Sequence, residues 1–126
     1  MKKPLPKPTE SELEILVVLW NKGPSTVRQV CEALTREAGY TTILKLMQIM
    51  FEKDLVTRDE SQRTHVYRAA VSREQTQRTL VSHLVDRVFG GSAQAMVMRA
   101  LSTKKSTPAE LSEIRALLDR IEGKKS

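Results

Sequence analysis

The chain has 126 residues, of which 40% are hydrophobic and only 4% aromatic, and its net charge is +6. This length allows one ordinary domain or a small domain with an accessory arm. The scarcity of aromatic residues indicates a core of aliphatic side chains and methionine, which favours helices, and the positive charge makes a polyanionic partner plausible.

Few residues are available for catalysis or metal binding. The only histidines are His65 and His83, with no acidic or cysteine partner at ligand spacing, and Cys31 is the only cysteine. No phosphate-binding glycine motif is present. The sequence therefore predicts neither an enzyme nor a bound metal or cofactor. Cys31 fits a small buried core residue better than a functional thiol.

The N-terminus shows no sign of a secretion signal. Residues 1–8 contain three lysines and three prolines, which predicts a flexible basic arm rather than a signal peptide. No apolar run is long enough to span a bilayer. We therefore expect a cytoplasmic protein without membrane insertion.

Two helices are predicted next. Thr9 and Glu12 form a capping-box pattern, and the helix that follows places Leu13, Leu16, Val17 and Trp20 at helical spacing on one face, where a core would cover them. A Lys-Gly-Pro sequence at residues 22–24 ends this helix. Residues 25–26, Ser-Thr, can cap the second helix, which we expect to end near residues 38–39.

The stretch from Tyr40 to Tyr67 is the most informative part of the chain. A helical pattern runs from Tyr40 to Lys53, with a wide apolar arc that includes Tyr40 and an opposite polar arc. Two short β-type runs, at residues 55–58 and 64–68, follow with a polar turn between them. A polar-faced helix followed by a basic hairpin is the layout of a winged helix-turn-helix.

Each part of this layout has a role in binding DNA. Hydroxyls at a helix start suit phosphate, Lys and Gln one turn later can reach base edges, and basic residues on a hairpin suit phosphates or the minor groove. The second helix of such a unit crosses the DNA backbone. The predicted DNA-binding residues are Ser25, Thr26, Arg28, Thr41, Thr42, Lys45, Gln48, Arg63 and His65.

Two features of this surface leave alternatives open. Ile49 falls on the polar arc of the third helix, where it is either an isolated exposed apolar residue or a contact to a thymine methyl group. Residues 1–70 hold 11 Lys and Arg against 9 Asp and Glu, a balance of only +2. Any DNA-binding surface must therefore come from the local placement of charge. The alternative function is a winged-helix module whose helix face binds another protein.

Three further helices are predicted after residue 72. They begin at Ser72, Ser92 and Thr107, and Gly90-Gly91 separates the first from the second. Three short helices cannot bury their apolar faces among themselves, so we expect a second copy of the chain to cover them, the alternative being packing onto the N-terminal domain. The predicted dimerisation residues are Leu80, Leu84, Val88, Leu111, Ile114, Leu117, Leu118 and Ile121.

The predicted architecture is mainly α-helical. It has a flexible arm at residues 1–8, a winged helix-turn-helix DNA-binding domain with a small β-hairpin wing at residues 9–71, and a helical dimerisation domain at residues 72–126.

Several segments in order resemble the penicillinase repressor family, which includes the β-lactamase, methicillin-resistance and copper-transport repressors. They are the Thr-Glu-Ser-Glu-Leu-Glu-Ile-Leu run from Thr9, the Gly-Pro-Ser-Thr-Val-Arg run from Gly23, the Gly-Tyr-Thr-Thr run from Gly39, the Glu-Lys-Asp-Leu-Val run from Glu52 and the Arg-Thr-His-Val-Tyr-Arg run from Arg63. The resemblance covers nearly the whole chain. It implies a homodimeric transcriptional repressor on an inverted-repeat operator.

The resemblance also implies a switch. In antibiotic-responsive members, a membrane sensor metalloprotease system triggers cleavage in the dimerisation domain, which frees the promoter. The best-known members are cut at an Asn-Phe bond, and the corresponding place here is Arg99-Ala100. The copper-responsive branch carries C-terminal cysteine pairs, which this chain does not have, so we do not expect copper sensing by that route.

Overall fold

The computed structural model describes residues 6–34 and 38–124. Within these ranges, three helices are followed by a two-stranded antiparallel hairpin and three more helices. The elements are α1 (Glu10–Lys22), α2 (Val27–Ala33), α3 (Tyr40–Glu52), β1 (Val56–Asp59), β2 (Val66–Ala69), α4 (Arg73–Val88), α5 (Ala93–Thr103) and α6 (Pro108–Glu122). The predicted fold class, mainly α with a hairpin wing, is confirmed.

The chain divides into two compact units, residues 1–82 and 83–126. The predicted domain boundary after residue 71 coincides with the start of α4, whose first turns belong to the first unit. Residues 1–5 of the predicted arm lie outside the described residues, and Pro8 at its end is buried. None of the helices in the described residues is long and apolar enough to cross a membrane.

Local capping signals explain where the helices begin. At α1, the Thr9 hydroxyl accepts from the Glu12 N–H at 3.2 Å, and the Glu12 carboxylate accepts from the Thr9 N–H at 2.8 Å. This arrangement satisfies two donors that a helix N-terminus leaves unpaired. The same reciprocal pair forms at Ser72 with Gln75 and at Thr107 with Glu110. The predicted starts of α1, α4 and α6 are confirmed.

The end of α2 differs from the prediction. The helix ends at Ala33, whereas the sequence pattern predicted an end near residues 38–39. Leu34 adopts extended backbone angles, with φ −71° and ψ 137°, and it still packs partly against the core. The chain therefore leaves the helix without giving up this apolar contact. Residues 35–37 lie outside the described residues.

The core of the first unit covers a face of α1 that only partly overlaps the predicted one, since Leu16 is buried and Trp20 packs partly against the core. Ile15, Leu16 and Leu19 are buried, while Val17 is 39% exposed. Helices α2 and α3 and strand β2 all pack against α1 and cover this face. Because α1 carries apolar residues almost all round, its spacing alone could not show which face the neighbours would cover.

The hairpin is fixed to the start of α2 by main-chain hydrogen bonds. Strands β1 and β2 pair so that Val56 lies opposite Ala69 and Asp59 lies opposite Val66. The Ser25 N–H donates to the Tyr67 carbonyl at 3.0 Å, and the Tyr67 N–H donates to the Ser25 carbonyl at 2.8 Å. This bridge makes the segment before α2 a short third neighbour of the sheet and sets the position of the wing.

Many apolar side chains of the second unit are exposed. No residue of α5 or α6 is buried, and both helices lie wholly within the described part of the chain. Gly90 and Gly91, with φ of 59° and 87°, turn the chain between α4 and α5 in a conformation that other residues adopt at a cost.

Candidate nucleic-acid interface

The outward face of α3 is polar. Thr41, Thr42, Lys45 and Gln48 are all exposed, and their spacing of three and four residues places them along one side of the helix. The opposite side is anchored by the buried residues Ile43, Met47 and Met50. Packing of that apolar side therefore fixes which four polar side chains face outward.

The first turn of α3 differs from the predicted pattern. Tyr40 was predicted to lie on the apolar side of the helix. Its side chain is 51% exposed, because this first turn of the helix faces solvent. Gly39 is the N-cap, and no side chain of the described residues caps the helix. The first N–H groups of α3 are thus left for solvent or an anion. Ile49 is half-buried, so both interpretations of it stay open.

The three DNA-binding residues predicted at the start of α2 have different roles in the structure. Thr26 caps the helix by accepting from the Gln29 N–H at 3.2 Å, and Arg28 is exposed. Ser25 is only 3% exposed, and its hydroxyl donates to the Gly23 carbonyl at 2.9 Å. Ser25 is among the predicted DNA-binding residues, but its hydroxyl is turned into its own loop.

Two arginines of the wing, Arg58 and Arg63, also differ in their contacts. Arg58 donates from Nε to Glu60 at 2.5 Å and lies 4.0 Å from the ring centre of Phe51. The hydrogen bond to Glu60, and after it one to Tyr67, raises the pKa of Arg58 above its usual value. Arg63 in the turn between the strands is exposed. Arg58 therefore stabilises the wing, and Arg63 remains free to contact a partner.

Three elements meet around one polar cleft of about 290 Å³. The α2 helix, the start of α3 and the wing each contribute side chains to it. The lining residues are Val27, Arg28, Tyr40, Arg63, Thr64, His65 and Tyr67. The structure therefore brings together three of the residues predicted from the sequence, Arg28, Arg63 and His65, that lie up to 37 positions apart in the chain.

An ion pair between a buried carboxylate and a partly exposed lysine, which the sequence did not indicate, holds the end of α3 against α1. Lys53 Nζ, just after α3, donates to both carboxylate oxygens of Glu12, at 3.0 and 2.9 Å. Glu12 is 1% exposed. Burial opposes its charge, but the Thr9 N–H and the Lys53 ammonium outweigh burial and hold the pKa of Glu12 below its usual value. The capping box at Thr9 was the only role that the sequence indicated for Glu12.

The beginning of α4 is also fixed to the first unit. The Trp20 indole N–H donates to the Val71 carbonyl at 2.9 Å. The Arg73 guanidinium lies 5.5 Å from the Trp20 ring centre and donates to the Asn21 side chain at 2.5 Å. These contacts fix the first turn of α4 to the end of α1.

The predicted dimerisation residues remain accessible. Leu80, Leu111 and Ile114 are half-buried. The other five are exposed: Leu84, Val88, Leu117, Leu118 and Ile121. Arg99 and Ala100, the predicted cleavage region, are exposed positions inside α5.

Three helices followed by a hairpin, with a polar third helix beside a basic cleft, define a winged-helix protein. A profile of the penicillinase repressor family matches residues 8–120. The chain therefore belongs to the penicillinase repressor family, a family of transcriptional regulators.

Individual relatives agree with this assignment. The transcriptional regulator BlaI of Mycobacterium tuberculosis is 34% identical over 91 residues, which cover 69% of this chain and 66% of that protein. The penicillinase repressor of Bacillus licheniformis is 19% identical and covers 98% of both chains. That of Staphylococcus aureus is 17% identical, over 90% of this chain and 92% of the relative.

Likeness to solved structures is weaker. The structure of reduced AbfR bound to DNA superposes with a TM-score of 0.46 at 18% identity, covering 90% of this chain and 72% of that chain. A likeness of this size supports no conclusion about function.

Proposed function

We propose that this protein is a DNA-binding transcriptional repressor that acts as a homodimer on an inverted-repeat operator. The observation that carries the proposal is the exposed polar face of α3 lying next to the basic cleft between α2 and the wing. Family membership supports the repressor role.

The α3 helix is the reading element in this proposal. Lys45 and Gln48 enter the major groove, where a lysine can donate to guanine and a glutamine can pair with adenine through both amide groups. Thr41 and Thr42 lie one turn earlier on the same side and contact phosphate or base edges. Thr26 supports this surface through its cap, and Ser25 supports it by holding the wing.

The homodimer explains the uncovered apolar side chains of α4, α5 and α6. Isolated apolar residues are common on protein surfaces, but here exposed apolar side chains recur along three consecutive helices. Exposed apolar surface of this extent marks an interaction surface. A two-fold dimer presents two α3 helices to two half-sites. Once one half-site is bound, the second binds at a high effective concentration, and a monomer loses this gain. The exposed members are Val81, Leu84, Val88, Val97, Met98, Leu101, Leu117, Leu118 and Ile121.

A double variant of the reading residues tests DNA recognition. Lys45→Ala with Gln48→Ala should weaken binding to the native promoter at least tenfold, with little effect on a scrambled duplex, because each base contact is worth about 1–3 kcal/mol. Lys104→Ala with Gln77→Ala, which removes the same groups from exposed positions on other elements, is the matched control. Unchanged promoter binding by the α3 variant would reject the assignment.

Salt dependence separates this function from a protein-binding module. DNA binding through phosphates weakens steeply with ionic strength, with a log-log slope of about −0.9 per neutralised phosphate. A winged-helix module that binds a protein would show no affinity for promoter fragments and no such slope.

Sedimentation tests the dimer. Leu117→Asp with Leu118→Asp should give monomers, because each charge would be buried in the interface. Ser112→Asp, on an exposed position of α6, is the control that should remain dimeric. A dimer that persists in the double variant would place the interface elsewhere.

Derepression by cleavage within α5 completes the proposal. A cut at Arg99-Ala100 would place α6, with its exposed Leu117, Leu118 and Ile121, on a separate fragment and so weaken the dimer. A membrane sensor metalloprotease system would supply the signal. Mass spectrometry of the protein from cells exposed to a β-lactam should detect a fragment beginning at Ala100. Full-length protein with restored transcription would exclude cleavage as the switch.

A further inference from the structure

The cleft between α2, the start of α3 and the wing has the composition of an anion site. Arg28 comes from α2, while Arg63 and His65 come from the wing, and the lining contains no carboxylate. Neither arginine forms an ion pair with another of the described residues. Two arginines from different elements therefore line one cleft whose lining holds no carboxylate.

The free state of Arg63 contrasts with that of Arg58 on the same wing. Arg58 is held by Glu60 and by the ring of Phe51, so its charge is used within the protein. Arg58 therefore supports the hairpin, whereas Arg63 lines the cleft.

The geometry of the cleft is set before any partner binds. The paired hydrogen bonds between Ser25 and Tyr67 fix the wing to the segment that begins α2. A guanidinium group can donate two parallel hydrogen bonds to a phosphate, and a backbone that is already in position loses less entropy on binding. Tyr40, the first residue of the uncapped α3 helix, also lines the cleft.

We propose that this cleft is a clamp for one backbone phosphate of the DNA, gripped at once by Arg28 of α2 and Arg63 of the wing. The inference rests on the proposed function and deepens it. A phosphate held here carries no base information, so the clamp sets the register of the domain on the duplex, and the outward face of α3 reads the sequence.

Shared contact with a single phosphate has a measurable signature. If each arginine neutralised its own phosphate, losing both would reduce the salt slope by about 1.8, at 0.9 per phosphate. If both act on one phosphate, the double variant should lose only about 0.9. The losses of affinity should likewise be non-additive, because residues that share a partner are coupled.

The experiment is a double-mutant cycle with the full-length chain. Arg28→Gln, Arg63→Gln and the double variant are titrated against the promoter and a scrambled duplex at several salt concentrations. We expect each single variant to lose about tenfold on both duplexes, and the double variant to lose much less than the product of the two. Arg68→Gln, an exposed arginine of β2 outside the cleft, is the control.

A second measurement locates the phosphate. Each phosphate of the promoter is replaced in turn by a neutral methylphosphonate linkage. At one position the replacement should lower the affinity of the wild-type protein. At that same position it should lower the affinity of Arg28→Gln and of Arg63→Gln by almost nothing. The clamp would be overturned if the two substitutions lowered affinity additively, or if they changed the response at different methylphosphonate positions. It would also be overturned if they lowered affinity for the promoter but not for the scrambled duplex. These outcomes leave the proposed function intact, whereas failure of the wild-type protein to bind DNA would overturn that function itself.

Discussion

Replacing Lys53 by methionine should destabilise the first unit much more than replacing its partner. The Lys53→Met variant leaves the carboxylate of Glu12, which is 1% exposed, without a counter-charge. The Glu12→Gln variant leaves Lys53, whose side chain is 39% exposed and can turn to water. The glutamine oxygen can still accept from the Thr9 N–H, so the capping box survives.

The difference in stability between the two variants follows from the cost of leaving a buried carboxylate without a counter-charge. Losing one partner of a buried pair costs about 3–5 kcal/mol. Glu12 can escape this penalty by taking a proton, which from an ordinary pKa of about 4.3 costs at most about 3.7 kcal/mol at pH 7. We therefore expect Lys53→Met to lose about 3 kcal/mol at pH 7 and Glu12→Gln to lose about 1 kcal/mol.

The pH dependence gives the sharper test. In the wild-type protein the pKa of Glu12 is lowered, so the stabilisation from the pair is complete above the ordinary pKa and is lost as the pH falls through the lowered value. In Lys53→Met the ammonium no longer offsets burial, so the pKa of Glu12 rises from its wild-type value although the Thr9 hydrogen bonds remain. The penalty is therefore largest at neutral pH and shrinks on acidification. At pH 5 it should be about 1 kcal/mol, since each pH unit is worth about 1.36 kcal/mol.

Urea denaturation at pH 7 and pH 5 measures these free energies. Lys22→Met is the matched control, since Lys22 is an exposed lysine in the last turn of α1 and is in no ion pair with another described residue. It should change the free energy of unfolding by less than about 0.5 kcal/mol at either pH. The reasoning is refuted if Lys53→Met and Glu12→Gln cost the same, or if the cost of Lys53→Met does not change between the two pH values.

Three further predictions concern single sites. Asp54 has φ 64°, so Asp54→Ala should lower the free energy of unfolding by about 0.5–1 kcal/mol and Asp54→Gly should not, as measured in urea. Trp20→Phe removes the indole hydrogen bond to Val71 and should cost about 1–2 kcal/mol, which would lower the midpoint of thermal unfolding by several degrees; an unchanged midpoint would show that the bond contributes nothing. Burial raises the pKa of Cys31, so its reaction with a thiol reagent at pH 7 should be slower than that of a free cysteine and should recover on unfolding.

Much of the fold follows from short stretches of the sequence. The starts of α1, α4 and α6 were predictable because a capping box involves residues only three positions apart. The predicted polar face of α3 agrees with the exposure of its side chains, because seven residues of helix already define two sides. The end of α2 was not predictable, since it depends on where Leu34 can reach the core.

The predicted site residues likewise divide into those that local sequence could place and those that depend on distant contacts. The positions of Lys45 and Gln48 on the outside of α3 could be read from helical spacing. The burial of Ser25 could not, because it results from pairing with Tyr67, 42 positions later.

The sequence by itself determined the order of helices, the hairpin and the polar side of α3, since these depend on neighbours within one or two turns. Only the tertiary structure decided that Glu12 is the buried partner of Lys53, that Ile15 rather than Val17 faces the core, and that Arg28 and Arg63 line one cleft. Each of these contacts joins residues that the chain separates widely, or depends on which face a neighbouring element covers. Local periodicity carries no information about either.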